Sequence, residues 1–214
     1  MACCLLIFSG EPIENDPRIY RSNKFQRTML QSFCSPMCLI TYLCPVCAVC
    51  QLRKRAIDND MSKYTCCMGY FDNGCFQSGH CYEQKYPNTC LFLESLCCLG
   101  PSLSSTRLLV MDRYDLQPDP CDNRIVRFSN CLQFFSCICS IASIFVREFR
   151  HVNHLIHFAA DTVFYTALGC MASQVDYELK FRQGTTKENY EAIPVEEDYH
   201  DYIAKGIPVK SSEY

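Results

Sequence analysis

The stretch that most restricts the possible folds of this chain is "RIVRFSNCLQFFSCICSIASIFVREFRHVNHLIHFAADTVFYTALGCMASQVDYELKFR", running from Arg124 to Arg182 without a proline and with Gly169 as its one glycine. Proline removes a backbone donor and glycine adds backbone entropy, so a run this long without them can stay helical throughout. The pattern predicts two long helices, roughly 124–150 and 152–182, folded as a hairpin with Asp122 or Asn123 capping the start. The expected class is therefore mainly α, with a cysteine-rich loop region packed on a helical hairpin.

Upstream, the chain divides by composition. Residues 1–30 read as an extended lead-in, since Pro12 and Pro17 interrupt any early helix and charges of both signs are scattered between them. Residues 31–182 form the expected cysteine-rich helical domain. Residues 183–214 are polar and acidic with isolated Tyr and Ile, the composition of an interaction tail that orders on a partner. In "CLFLESLCCLG", Leu91, Glu94, Ser95 and Cys98 recur at helical intervals before a stop expected at Gly100-Pro101. "STRLLVMDRYDLQ" follows as a further short helix or strand.

Phe33 to Leu52 holds twenty consecutive uncharged residues, enough to cross a bilayer as a helix, and ends at Arg53, Lys54 and Arg55. Two readings are open. The basic trio is a positive flank to a membrane segment, or it caps the second of two short buried helices broken at Pro36 and Pro45.

Nineteen cysteines in 214 residues would signal a disulfide scaffold in a short secreted chain. Here the count is odd and several cysteines are neighbours. The amino-terminal "MACCLLIF" lacks a basic entry region, and no Asn-x-Ser/Thr acceptor occurs. Those features point to reduced thiols in an intracellular, reducing, cytoplasmic setting, membrane-associated or cytoskeletal. Cys3 and Cys4, beside Leu5 to Phe8, are candidates for lipidation.

Thiolates bind soft metals, and a Cys-x-x-Cys knuckle offers two sulfurs to one tetrahedral zinc. The zinc expectation rests on Cys34, Cys38, Cys44, Cys47 and Cys50, with a second set from Cys66, Cys67, Cys75, His80 and Cys81. Glycines 69, 74 and 79 make the region 58–90 too loop-rich to hold by apolar burial, so a coordinate or covalent tie is expected there. Simple packing of small buried thiols is the competing account. A thioredoxin-like dithiol at Cys44 and Cys47 lacks a strand–helix–strand context, and an iron–sulfur cluster lacks a fourth thiolate in the run. His151, His154 and His157 recur every third residue, which spreads them around a helix rather than converging them.

A net charge of −3 excludes a counterion-releasing nucleic-acid surface. Nothing in the spacing singles out a nucleophile–base pair, a phosphate loop or paired carboxylates, so no enzymatic activity is expected. The mean hydropathy of −0.06 is that of a globular protein and leaves room for one or two apolar spans.

Two stretches resemble the PLAC8 (placenta-specific 8) cysteine-rich family. Cys38-LITYL-Cys44-Pro45-Val46-Cys47 is similar to its opening signature, with Val46 inserted where the family has Cys directly after Pro. "GCMASQVDYELKFR", with Cys170, Gln174, Glu178 and Leu179, is similar to its closing one. The resemblance implies a non-catalytic cysteine-rich protein at membranes, linked to metal movement or tolerance, and supplies no catalytic residue. The expected function is thus a structural or scaffold protein, its thiolates holding zinc, docked through protein partners on a larger membrane or cytoskeletal assembly. The alternative is a PLAC8-type membrane protein with Phe33 to Leu52 and Asn130 to Val146 in the bilayer.

Overall fold

The computed structural model describes residues 16–33, 35–71, 82–145 and 150–184. Six α-helices occur among them: α1 (Pro36–Leu43), α2 (Pro45–Ala56), α3 (Pro87–Cys97), α4 (Leu99–Tyr114), α5 (Pro120–Phe145) and α6 (Arg150–Arg182). The mainly α expectation holds, and the two long helices lie close to their expected bounds. Four of the six begin at a proline. Its missing N–H costs nothing in a first turn, and its fixed φ is already helical, so Pro36, Pro45, Pro87 and Pro120 act as helix starters.

The uncharged run from Phe33 to Leu52 is therefore no single span. Cys44 closes α1 through its N–H to Ile40 O at 2.8 Å, and its own carbonyl accepts the first bond of α2 from Ala48 N at 3.1 Å. Ala48, Val49 and Leu52 of α2 are buried in the main core beside Leu103, Val110, Leu168 and Val175. The bilayer reading of this segment gives way to the broken pair of buried helices.

The stop expected at Gly100-Pro101 is also corrected. α3 ends at Cys97, and the chain turns at Cys98 (φ −135°, ψ 55°) into α4, which carries Gly100 and Pro101 in its first turn. α5 starts two residues before Asp122, and Asp119 Oδ1, not Asp122 or Asn123, accepts from Cys121 N at 2.7 Å.

α2 lies centrally, touching α1, α3, α4 and α6. The described part of the lead-in, from Asp16, is pinned: Asn23 bridges in parallel to Leu116, and Met29 sits in the core. Beyond this body α5 and the first half of α6 pair with each other.

Candidate functional site

Three arrangements concentrate chemistry: a buried ion pair under the Cys66-Cys67 turn, a second under the lead-in, and the hairpin α5–α6.

The first is built on Arg53, expected to be a flank or cap and found fully buried. Its Nη2 donates to Glu94 Oε1 at 3.0 Å, to Ser102 O at 2.7 Å and to Ser105 Oγ, while Nε donates to Thr106 Oγ1 at 2.8 Å. Glu94 Oε2 accepts from Tyr64 OH at 2.7 Å and from the Cys67 N–H at 2.9 Å. A buried charge pair persists only when its remaining hydrogen-bonding capacity is used, and here almost all of it is; Arg53 Nη1 alone lacks a partner. Arg55 of the same trio pairs with Asp176 of α6 at 2.6 Å. The carboxylate thus ties down residues 64–69, whose backbone is left-handed at Cys67 (φ 46°) and Met68 (φ 52°). A hydrogen-bonded anchor supplies, for this part of the loop region, the tie that metal or disulfide was expected to supply.

Among the described residues, Cys66, Cys67 and Glu94 form the one group whose ligand atoms all lie within 4.8 Å of one another. The donor set fits zinc poorly. Glu94 is already committed to three donors, and Arg53⁺ would repel a second cation. Among the described residues the other expected ligands form no group of three around one centre. Cys38 packs on α6, Cys44 and Cys47 are exposed at the head of α2, and Cys50 reaches Ser95 Oγ at 3.4 Å. Cys3, Cys4, Cys34, Cys75, His80 and Cys81 lie outside the described residues.

The second arrangement joins α4, α5, α6 and the lead-in. Asp122 Oδ2 accepts from Arg107 Nη2 at 2.9 Å and Gln174 Nε2 at 2.7 Å, while Oδ1 accepts from Met29 N at 3.0 Å. Gln174 Oε1 accepts from Arg107 Nε at 3.2 Å. Glu178 Oε2 accepts from Gln26 N at 2.9 Å. Asp122, expected as a helix cap, is wholly buried; nothing in "DPCDN" distinguishes it from Asp119, because its partners are 15, 52 and 93 residues away. On the surface nearby, burial pushes the Asp112 carboxyl up, but hydrogen bonds from Arg18, Tyr70 and Arg21 outweigh it and hold it low.

The hairpin is built inside out. Several of its polar side chains face inward, while Asn130, His151, His154, Asp161 and Thr162 are exposed. Ser136 Oγ and His157 Nδ1 are 2.9 Å apart, Ser140 Oγ bonds His157 Nε2, and Gln133 Nε2 donates to Ala160 O at 3.1 Å and Asp161 Oδ1 at 3.3 Å. Ser129, Ser136, Asn153 and Ala160 are buried. Its apolar side chains face outward: Phe134 (67%), Ile144 (77%), Phe145 (81%) and Phe158 (72%) are largely exposed, with Ile138 and Ile141 between them. His157 is thus an inter-helix hydrogen-bonding residue, and His151 and His154 stand exposed apart from it. Each helix is long and apolar enough to cross a membrane. The exposed apolar surface continues onto Leu39, Ile40 and Leu43 of α1, whose Tyr42 packs edge-on against Tyr165 with ring centroids 6.1 Å apart.

The two stretches resembling PLAC8 signatures meet in space, since a methyl group added at Gly169 would lie 2.8 Å from the Cys38 sulfur. No family model, curated protein or solved structure matches the chain.

Proposed function

We propose that this is a non-catalytic, membrane-attached helical protein whose α5–α6 hairpin enters the bilayer and whose charged body is held at the surface for protein partners. The observation that carries the reading is the inverted polarity of the hairpin. In water an exposed row of Phe and Ile around a Ser–His–Gln interior costs hydration on the outside and desolvation within. In hydrocarbon the same arrangement satisfies every helix backbone group internally, hides Ser136, Ser140 and His157 against each other and solvates the apolar side chains.

Dimensions support it. The uncharged stretch 128–146 is about 28 Å long at 1.5 Å per residue, against a hydrocarbon core of about 30 Å. Arg124 and Arg127 precede it, and Arg147, Glu148, Arg150 and His151 follow, placing ionisable groups at both limits. The body is studded with ion pairs such as Arg113–Asp58 at 2.6 Å and Arg18–Asp112 at 2.7 Å, the surface of a part that stays in water. A net charge of −3 leaves nucleic acid out of the proposal.

The resemblance to PLAC8 proteins points to the same compartment through a different segment, since the PLAC8-like opening stretch is folded into the body. Alkaline carbonate extraction of membranes carrying the full chain tests the proposal. Retention in the pellet is expected; quantitative release would assign the apolar hairpin to a protein partner instead.

A further inference from the structure

Where the hairpin leaves the body, a cleft of about 660 Å³ opens between the α3–α4 corner and the base of α5 and α6. Its floor is Ser129 of α5 with Ala167, Leu168 and Met171 of α6, all buried. Its rim includes Leu96, Pro101, Asn130 and Tyr165, all exposed. The corner rests on α6 at Gly100, where an added methyl group would already touch the Phe164 ring at 3.4 Å. Neither the buried ion pairs nor the Ser136–Ser140–His157 cluster contributes a residue to this cleft.

We propose that the cleft binds one long acyl chain of a membrane glycerophospholipid, taken up from the bilayer beside the hairpin. The inference rests on the membrane reading of α5 and α6.

The chemistry of the wall selects the occupant. Among the described residues that line it there is no Asp, Glu, Lys, Arg or His, so a phosphate, a nucleotide or a metal ion finds no ionic partner inside. Aliphatic and aromatic carbon dominates instead, and the volume falls within the roughly 300–1,000 Å³ of small-molecule sites. A hydrocarbon chain gains from such a wall in proportion to the area it hides from water. The few polar groups are placed at one level of α5: Ser129 and Asn130 follow Arg127 by less than a turn, at the limit of the uncharged stretch 128–146. There the hydrocarbon gives way to the polar layer of the bilayer, and a serine hydroxyl and a carboxamide can donate to an ester carbonyl while the phosphate stays outside.

The approach to the cleft is apolar as well. Phe92, Leu93 and Leu96 are half exposed on the outer face of α3, leading to the rim from one side, and Phe158 and Tyr165 lead to it along α6 from the other. A chain moving from lipid to cleft thus crosses apolar side chains. A membrane that already surrounds the hairpin supplies acyl chains at the rim itself, which is why the proposal commits to a bilayer lipid rather than to an apolar solute from water.

The test uses the full chain reconstituted in phosphatidylcholine vesicles doped with a phosphatidylcholine that carries a diazirine on one acyl chain. After irradiation the labelled peptides are mapped by mass spectrometry. Adducts are expected on the floor, at Ala167, Leu168 and Met171, as well as on the outward face at Phe134, Ile138 and Phe145. Ser104→Phe, at a half-buried wall position of α4, fills the cleft. It should lower the floor adducts about tenfold or more, the effect of losing the burial of about two methylene groups, and leave the outward adducts and the helical circular dichroism as in the parent. A tracer with the diazirine in its headgroup should leave the floor unlabelled, a comparison that needs no variant. Adducts on the outward face with none on the floor overturn the inference and keep the membrane reading. Absence of adducts from both places overturns the membrane reading and the inference with it. Floor adducts undiminished in folded Ser104→Phe, or equally strong from the headgroup tracer, overturn the inference too.

Discussion

Ile138→Lys separates a lipid-facing hairpin from one that meets water. Ile138 lies midway along the uncharged stretch 128–146 and is 47% exposed on the face turned away from α6. Placing Lys there at the centre of a membrane helix costs about 2.5–3.5 kcal/mol, and the lost preference of Ile for that depth adds about half a kcal/mol, about 3–4 kcal/mol together. At about 1.4 kcal/mol per factor of ten, membrane partition should fall at least about 100-fold. In an aqueous setting the same substitution touches no buried partner and should change stability by no more than about 0.5 kcal/mol. Flotation with phosphatidylcholine vesicles measures the first quantity, and urea unfolding of whatever fraction stays soluble measures the second. Ile141→Lys, 55% exposed three residues on, should behave alike. If both variants float as the parent does, or if both lose stability instead of partition, the hairpin does not face lipid.

Glu94→Gln leaves Arg53 buried without its counter-charge and should cost about 3–5 kcal/mol in urea unfolding, whereas Thr106→Val, which removes one neutral bond to the same guanidinium, should cost about 1 kcal/mol. Gly169→Ala places a methyl 2.8 Å from Cys38 Sγ and 3.2 Å from Cys38 O; overpacking should destabilise by about 1–3 kcal/mol, and Cys38→Ala in the same chain should recover part of the loss but not all, because the carbonyl stays. The Cys67 thiol, raised by burial to about 12, ionises later in the folded chain than in the unfolded one. The native state therefore holds the extra proton, so stability should be constant below about pH 8.5 and fall as pH rises toward 12, with a shallower fall in Cys67→Ala, read from urea midpoints across that range. Elemental analysis after anaerobic purification tests the zinc expectation on the cysteines: a metal-free, folded protein confines the thiols to other roles.

Local patterns carried much of this molecule. Absence of Pro between Arg124 and Arg182 was enough for the two long helices, and the spacing of Leu91, Glu94 and Ser95 marked the buried face of α3, where all three are buried. A proline misled at Gly100-Pro101, taken as a stop although Pro101 lies inside the first turn of α4, whereas Pro45 does break the uncharged run, by starting α2. Arg53, Lys54 and Arg55 are indistinguishable in sequence, yet one is fully buried, since only the approach of α3 and α4 supplies Glu94 and Thr106.

By itself the order of residues determined helix content, the two long arms and the excess of cysteine, because these depend on backbone propensity and composition within a few turns. Tertiary structure alone decided which carboxylates and guanidiniums are buried together, and that the hairpin turns Ser136, Ser140 and His157 inward and Phe134, Phe145 and Phe158 outward. Those outcomes depend on partners up to 152 residues apart, as Gln26 and Glu178 are, and distance along a chain carries no record of which side chains will share a dielectric environment once it folds.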